Sequence, residues 1–410
     1  GDPYLLPSLF GFESRELLER FVERVQQVVD RHDILRTRLA WENLAQPVQV
    51  VLRKAELPVH TLQFDAANGT VLNQLQRYFD PAHTRIDLRQ APLLRCHVVE
   101  DAANGRWVLH LLAHHLVIDH TTMDILLEET RQLDQGEVLP AAVPYRQFVA
   151  QARLGISKDE HEAFFKAMLA HIDAPTAPFD LLNVQNDGSS IVESKLRLDD
   201  AVAKAVRQQA RAHGVSAASL LHLAWALVLA RTTGRDDVVF GTVLFGRMQG
   251  GEQADRGIGL FINSLPIRVG IGGENVASSL KAAHALLAQL MRHEHAPLAL
   301  AQRCSGVAAP APLFTSLVNY RYSPDLDEVS PQYISGQGVY ADIEALGVYE
   351  RTNYPLTLAI DDLGEGFQLT AQVAQPIAPQ RICQFMQAAV EQLVAALQQQ
   401  PNQPLAQLDV

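Results

Sequence analysis

An apolar run from Trp107 to Ala113 ends in His114, His115, Asp119 and His120, and an amphipathic segment from Met123 to Leu133 follows at once. A bounded apolar run of that length reads as a buried strand, and apolar residues recurring at helical spacing read as a helix packed on it. The Thr121-Thr122 pair is placed to cap that helix. Strand, turn and helix in immediate succession require a sheet with helices laid against it, so the chain is read as α/β. The turn sets two histidines and a carboxylate on the end of a rigid core element.

Three readings of these residues compete. Adjacent histidines on a strand point to opposite faces, so one of His114 and His115 aims at a given cavity and the other is a hydrogen-bonded structural residue. A metal set is the second reading, but helical metal motifs place ligands at i and i+4 on one face, whereas Leu116-Val117-Ile118 is a poor helix. The third is catalysis. No metal is assigned.

The flanking sequence repeats the layered theme. Residues 13 to 30 carry Leu17, Leu18, Phe21, Val22, Val25, Val28 and Val29 at helical spacing, and Val48 to Leu52 and Pro92 to Glu100 read as strands. Gly105 turns the latter into the histidine-bearing strand as a hairpin. Ala174-Pro175-Thr176-Ala177-Pro178 is the best boundary, giving an N-terminal lobe over 1–174 and a C-terminal lobe over 175–410. In the second lobe, helices over 199–213 and 217–231, the latter capped by Ser216, precede a strand from Val238 to Val243. Gly246-Arg247 and a polar, Gly-rich loop come next.

Composition excludes more than it assigns. A net charge of −12 argues against a broad basic surface for nucleic acid. Cys96, Cys304 and Cys383 show no paired spacing. The apolar run Leu220–Ala230 is short and contains His222, so it reads as a core helix and not a membrane span. With no signal peptide at its start, the chain is expected in the cytoplasm.

His114-His115-Leu-Val-Ile-Asp119 resembles the His-His-x-x-x-Asp-Gly signature of condensation domains from nonribosomal peptide synthetases, in the chloramphenicol-acetyltransferase-like superfamily. Arg31-His32-Asp33-Ile34-Leu35-Arg36-Thr37, Pro144-Tyr145-Arg146-Gln147-Phe148 and Ile258-Gly259-Leu260-Phe261-Ile262-Asn263-Ser264-Leu265-Pro266 resemble three further boxes in the same order. The resemblance implies two α/β-sandwich lobes forming a V, with the active site in a tunnel between them. It implies amide-bond formation between a carrier-bound acyl or peptidyl thioester and the amine of a carrier-bound aminoacyl group. The substrates would ride on phosphopantetheine arms of upstream and downstream carrier domains, with an adenylation domain in the same assembly line and no cofactor held by the chain itself.

Residue by residue, the resemblance gives His115 the contact with the reacting amine, with His114 beside it. It gives Asp119 the bracing of the turn through an arginine, for which Arg36 and Arg247 are candidates, and makes Tyr145 and Asn263 candidate site-lining residues. His120 stands where the signature has glycine, which suggests a backbone with positive φ, costing about 1–2 kcal/mol in a histidine; it is a further candidate site-lining residue. The chain opens on Gly1-Asp2-Pro3 without methionine, as the interior of a longer polypeptide does, and lacks the family's opening box, so the first lobe is expected to be truncated at its start. Dual epimerisation/condensation domains carry an extra His-His motif ending in Gly-Asp, and Gly1-Asp2 is similar to that ending. Alternatives are plain condensation, a coenzyme A-dependent acyltransferase, and a non-catalytic relative that recruits a partner.

Overall fold

The histidine-bearing run becomes the central strand of a five-stranded sheet. The structure, a computed structural model, describes residues 2–80, 83–184, 188, 190–247, 256–322, 343–348 and 352–410. The chain runs β1 (Leu5–Phe12), α1 (Arg15–Arg31), β2 (Thr37–Ala40), β3 (Val48–Val51), β4 (Val59–Leu62), α2 (Val71–Tyr78), β5 (Leu94–Asp101), β6 (Arg106–His114), α3 (His120–Asp134) and α4 (Tyr145–Leu154). It continues α5 (Lys158–Leu169), β7 (Ile191–Arg197), α6 (Asp200–His213), α7 (Ala217–Thr233), β8 (Asp237–Leu244), β9 (Asn263–Gly270), α8 (Val276–Arg292) and α9 (Leu298–Arg303). The last elements are β10 (Ser316–Tyr322), β11 (Ile343–Val348), β12 (Leu356–Asp362), β13 (Phe367–Ala374) and α10 (Pro379–Gln399).

Two compact units result. The first takes in Gly1–Gln151 with the described stretches 256–261 and Ile343–Val348, and its sheet has the order β11-β1-β6-β5-β4. β6 pairs antiparallel with β1 on one side and β5 on the other. Helix α1 forms because Ser14 caps it, accepting from the Leu17 amide at 3.2 Å, and because Leu18, Phe21, Val25, Val28 and Val29 fall on one buried face. That face packs on α3 and β6.

The second unit holds a six-stranded sheet, β7-β13-β12-β10-β8-β9. Helix α7 is buried from Ser219 to Ala230, so its all-round apolarity belongs to a core helix. Ser216 caps it as the sequence indicates. Among the described residues, no single helix is long and apolar enough to cross a membrane.

The units differ from a single cut at residue 174. Phe165, Met168 and Leu169 of α5 lie in the second core, and β11 returns from late in the chain to pair with β1. The Pro-rich stretch is no free linker: the Thr176 hydroxyl accepts from the Val239 amide at 2.8 Å, and the Thr176 carbonyl accepts from Thr315 at 3.3 Å. Thr176 thereby ties the connection to the second sheet.

In the first sheet, His97 and His110 sit directly opposite each other on β5 and β6, their Nδ1 atoms 3.1 Å apart, with Phe79 stacked on His110 and tilted against His97. Both rings are buried, and desolvation drives their pKa values down to about 4 and about 3. The unfolded chain takes up protons on these residues near pH 6.5 while the folded one does not, so stability falls as pH drops from about 6.5 toward 4. Urea unfolding at pH 7.5 and pH 5.0 is expected to show a loss on the order of 1–2 kcal/mol per pH unit, visibly reduced in a His97→Leu/His110→Leu variant. Equal losses in both proteins would rule out this pair as the cause.

Candidate functional site

The turn after β6 is held on both sides. The His114 amide donates to the Leu93 carbonyl at 3.0 Å and the His115 amide to the Tyr4 carbonyl at 2.8 Å, so the strand ends anchored between its two neighbours. The His114 ring is buried, and both its nitrogens are engaged: Nδ1 accepts from the Leu116 amide at 3.1 Å, and Nε2 lies 3.3 Å from the Asp2 carboxylate. Burial lowers its pKa against the opposing pull of Asp2. His114 is thus the structural member of the pair, shaping the turn.

His115 is half-buried, in the turn proper. Its Nδ1 lies 2.8 Å from the Ile118 carbonyl. A carbonyl can only accept, so Nδ1 carries the hydrogen, and in the neutral ring Nε2 presents a lone pair. Residues 115–117 form a turn and not a helix, which separates His115 from Asp119 in direction.

Asp119 is buried and works through both oxygens. Oδ1 accepts from the Thr122 amide at 2.8 Å, capping α3, and Oδ2 accepts from the Phe261 amide at 3.0 Å. The cap is therefore the aspartate and not the Thr121-Thr122 pair, because a carboxylate one residue before the helix reaches the free amides of its first turn. Thr122 has another task. Its hydroxyl donates to the Gly259 carbonyl at 2.6 Å and receives the Gly259 amide at 3.0 Å.

Tyr145 completes the attachment: its hydroxyl donates to the Leu260 carbonyl, its amide donates to Asp33 at 2.9 Å, and its ring meets Phe261 edge-on at 5.5 Å. Three hydrogen bonds from Asp119 and Thr122 thus fasten residues 259–261 to the start of α3, and one from Tyr145 fastens them to the start of α4. Thr122 and Gly259 escape sequence reasoning. The signals were a threonine in the first turn of a helix and a glycine inside an apolar box.

Several expectations change. Arg36 is not a partner of Asp119: its guanidinium donates to the Leu52 carbonyl and its Nε is buried without a hydrogen bond, because its helical turn faces the β2–β3 hairpin. His120 is the first residue of α3 and lies outside the positive-φ residues, so the expected backbone cost does not arise. Tyr145 anchors the 259–261 segment through its hydroxyl. Asn263 spends its amide on the Glu294 and Ala296 carbonyls, both at 2.8 Å, and so fixes a turn in the second unit. Arg247 follows Gly246 after β8 in the second unit and is half-buried. Most of the Gly-rich stretch after it lies outside the described residues, as does Gly1.

One residue adds a charge to this neighbourhood. Asp124, one helical turn after His120, is solvent-facing, yet the surrounding protein raises its pKa; His120 opposes that shift and Asp119 reinforces it.

With this geometry in place, the condensation-domain profile matches residues 2–410. The chain belongs to the condensation-domain family. It is 49% identical over its whole length to a stretch of malpinin synthetase from Mortierella alpina, and 31% identical over 82% of its length to one of the linear gramicidin synthase proteins of Brevibacillus parabrevis. The chain spans only 5% and 7% of those two proteins. Among solved structures it is similar to a four-domain nonribosomal peptide synthetase bound to AMP and glycine, with a TM-score of 0.79, 16% identity and coverage of 99% of this chain and 32% of that one. It is also similar to the condensation domain of monacolin K polyketide synthase, with a TM-score of 0.72, 20% identity and coverage of 98% and 94%. Condensation domains of this kind share the two-lobed α/β fold of the chloramphenicol-acetyltransferase type seen here.

Proposed function

We propose that this condensation domain joins a carrier-bound acyl or peptidyl thioester to the free α-amine of a carrier-bound aminoacyl group. The observation that carries the reading is the His115 tautomer. With Nδ1 fixed on Ile118, Nε2 is the free acceptor on a turn braced by His114 and Asp119. The amine attacks the thioester carbonyl, its proton passes to Nε2, and the tetrahedral adduct expels the thiolate, which takes that proton from Nε2 and leaves as the thiol.

An α-amine of reference pKa about 7.7–8.0 is already roughly one-tenth uncharged at neutral pH, so His115 is not required to create the nucleophile. Its part is to hold the amine and take the proton as the bond forms. Positioning two reactants is worth roughly 7–11 kcal/mol against a factor of about 10²–10⁴ for proton transfer, so orientation supplies the larger share. Carrier domains on either side and an adenylation domain in one cytoplasmic assembly line are the partners of this reading. The domain itself holds no cofactor in it; both substrates arrive on phosphopantetheine arms.

A second reading adds epimerisation of the donor Cα before condensation. It is favoured by Asp2, whose carboxylate lies 3.3 Å from His114 Nε2 in the Gly-Asp pair that resembles the dual domains. One assay separates the two. A carrier-loaded L-peptidyl donor and an aminoacyl acceptor are incubated with the full-length protein, and the product is hydrolysed and analysed by chiral chromatography. Product with a D residue at the donor position establishes the dual activity, and product retaining the L residue leaves condensation alone. Loaded carriers with no product would overturn both.

A further inference from the structure

The β2–β3 hairpin leaves one strand edge open. β2 and β3 pair antiparallel, with Thr37 opposite Val51 and Ala40 opposite Val48. The Leu52 amide donates to the Arg36 carbonyl at 2.9 Å, which makes that opposed pair a hydrogen-bonded one; by alternation Arg38–Val50 and Ala40–Val48 are hydrogen-bonded too. The intervening residues therefore turn their backbone groups outward. On β2 this outer edge is occupied, since the Leu39 amide donates to the Leu88 carbonyl at 2.8 Å. On β3 the outward amides and carbonyls of Gln49 and Val51 meet no other segment among the described residues. Pro47, two residues before Gln49, ends the usable edge at that side.

Around this edge the surface is apolar and positively charged. Trp41, Leu44, Val48 and Val51 are 43%, 48%, 44% and 50% exposed. Arg38 stands opposite Val50, and Arg53 and Lys54 follow the strand directly; none of these three cations has an acidic partner among the described residues. On a chain of net charge −12 this is a local inversion of sign. An exposed hydrophobic edge invites another strand unless charge or proline blunts it, and here the charge selects rather than merely repels.

We infer that β3 is a docking edge for an extended acidic segment of a partner polypeptide, which adds a strand through Gln49 and Val51, sets its apolar side chains beside Val51 on one face and its carboxylates toward Arg38 on the other, and runs on toward Arg53 and Lys54. Two outward residues offer two amides and two carbonyls, so the contact is short and its affinity modest. This surface is independent of His115 and its turn.

The test uses the full chain and an acetylated, amidated Glu-Val-Glu-Val-Glu-Val peptide. Fluorescence anisotropy of the labelled peptide is expected to show saturable binding, and hydrogen exchange is expected to slow across residues 48–52. Gln49→Pro removes an outward N–H without touching the ladder to β2, and is expected to weaken binding at least tenfold while amide formation is unchanged. An Arg53→Glu/Lys54→Glu variant is expected to weaken it likewise, and keeps the test open should proline disturb the hairpin. Equal binding of the Lys-Val counterpart, undiminished binding to both variants, or a dimer of the chain that Gln49→Pro abolishes would overturn the inference.

Discussion

His115→Ala is expected to lower the rate of amide formation by a factor of about 10²–10⁴ while leaving the fold intact. Among the described residues the side chain makes a single hydrogen bond, from Nδ1 to the Ile118 carbonyl, so its removal costs stability on the order of 1 kcal/mol. Substitutions that mimic one ring nitrogen at a time separate the two duties. Asparagine places an N–H where Nδ1 stands, keeps the bond to Ile118 and lacks Nε2; it should lose as much activity as alanine and retain the wild-type unfolding midpoint. Glutamine reaches the Nε2 position with a group that can orient an amine and cannot take its proton. If orientation supplies the larger share, His115→Gln should keep more activity than His115→Asn. Full activity in His115→Asn, measured with both carriers loaded, would remove Nε2 from the mechanism.

How far this site could be read from the sequence depends on the kind of information each residue carries. The strand from Arg106 to His114 and helices α1, α6 and α7 were legible because their apolar patterning is local and strong. The division of labour between His114 and His115 was legible only as an either-or, since alternation on a strand says that two neighbours diverge without saying which faces the core. The register of β1 against β6, with Leu5 opposite His114, brings Asp2 and Tyr4 to the histidines, and no pattern near residue 114 announces that. Arg36 misled for a related reason: a box that contains an arginine does not state where its side chain goes, and here it goes to the Leu52 carbonyl. Residues 259–261 were legible as a motif and illegible as a partner of α3, because backbone-to-side-chain bonds across more than a hundred residues leave no periodic trace.

Gly259→Ala is expected to be among the most damaging single methyl additions in the first unit. Gly259 has φ +149, a conformation that L side chains rarely adopt, and a Cβ built there would lie 2.2 Å and 2.4 Å from two carbons of the Tyr145 ring. Backbone strain of this type costs on the order of 1–3 kcal/mol and overpacking a further 1–3, so the loss should reach about 3 kcal/mol or more. The tyrosine cannot simply step aside, because its hydroxyl is bonded to the Leu260 carbonyl and its amide to Asp33. Moving either residue breaks the bonds by which Thr122 and Asp119 hold this segment, and with them the brace behind the His115 turn. Activity should therefore fall together with stability, unlike the His115 variants. A Gly259→Ala/Tyr145→Ala double variant, compared with Tyr145→Ala alone, removes the clash and keeps the φ strain, so the alanine at 259 should then cost only the backbone share, about 1–3 kcal/mol. An unchanged cost in the two backgrounds would show that the ring does not set the requirement for glycine.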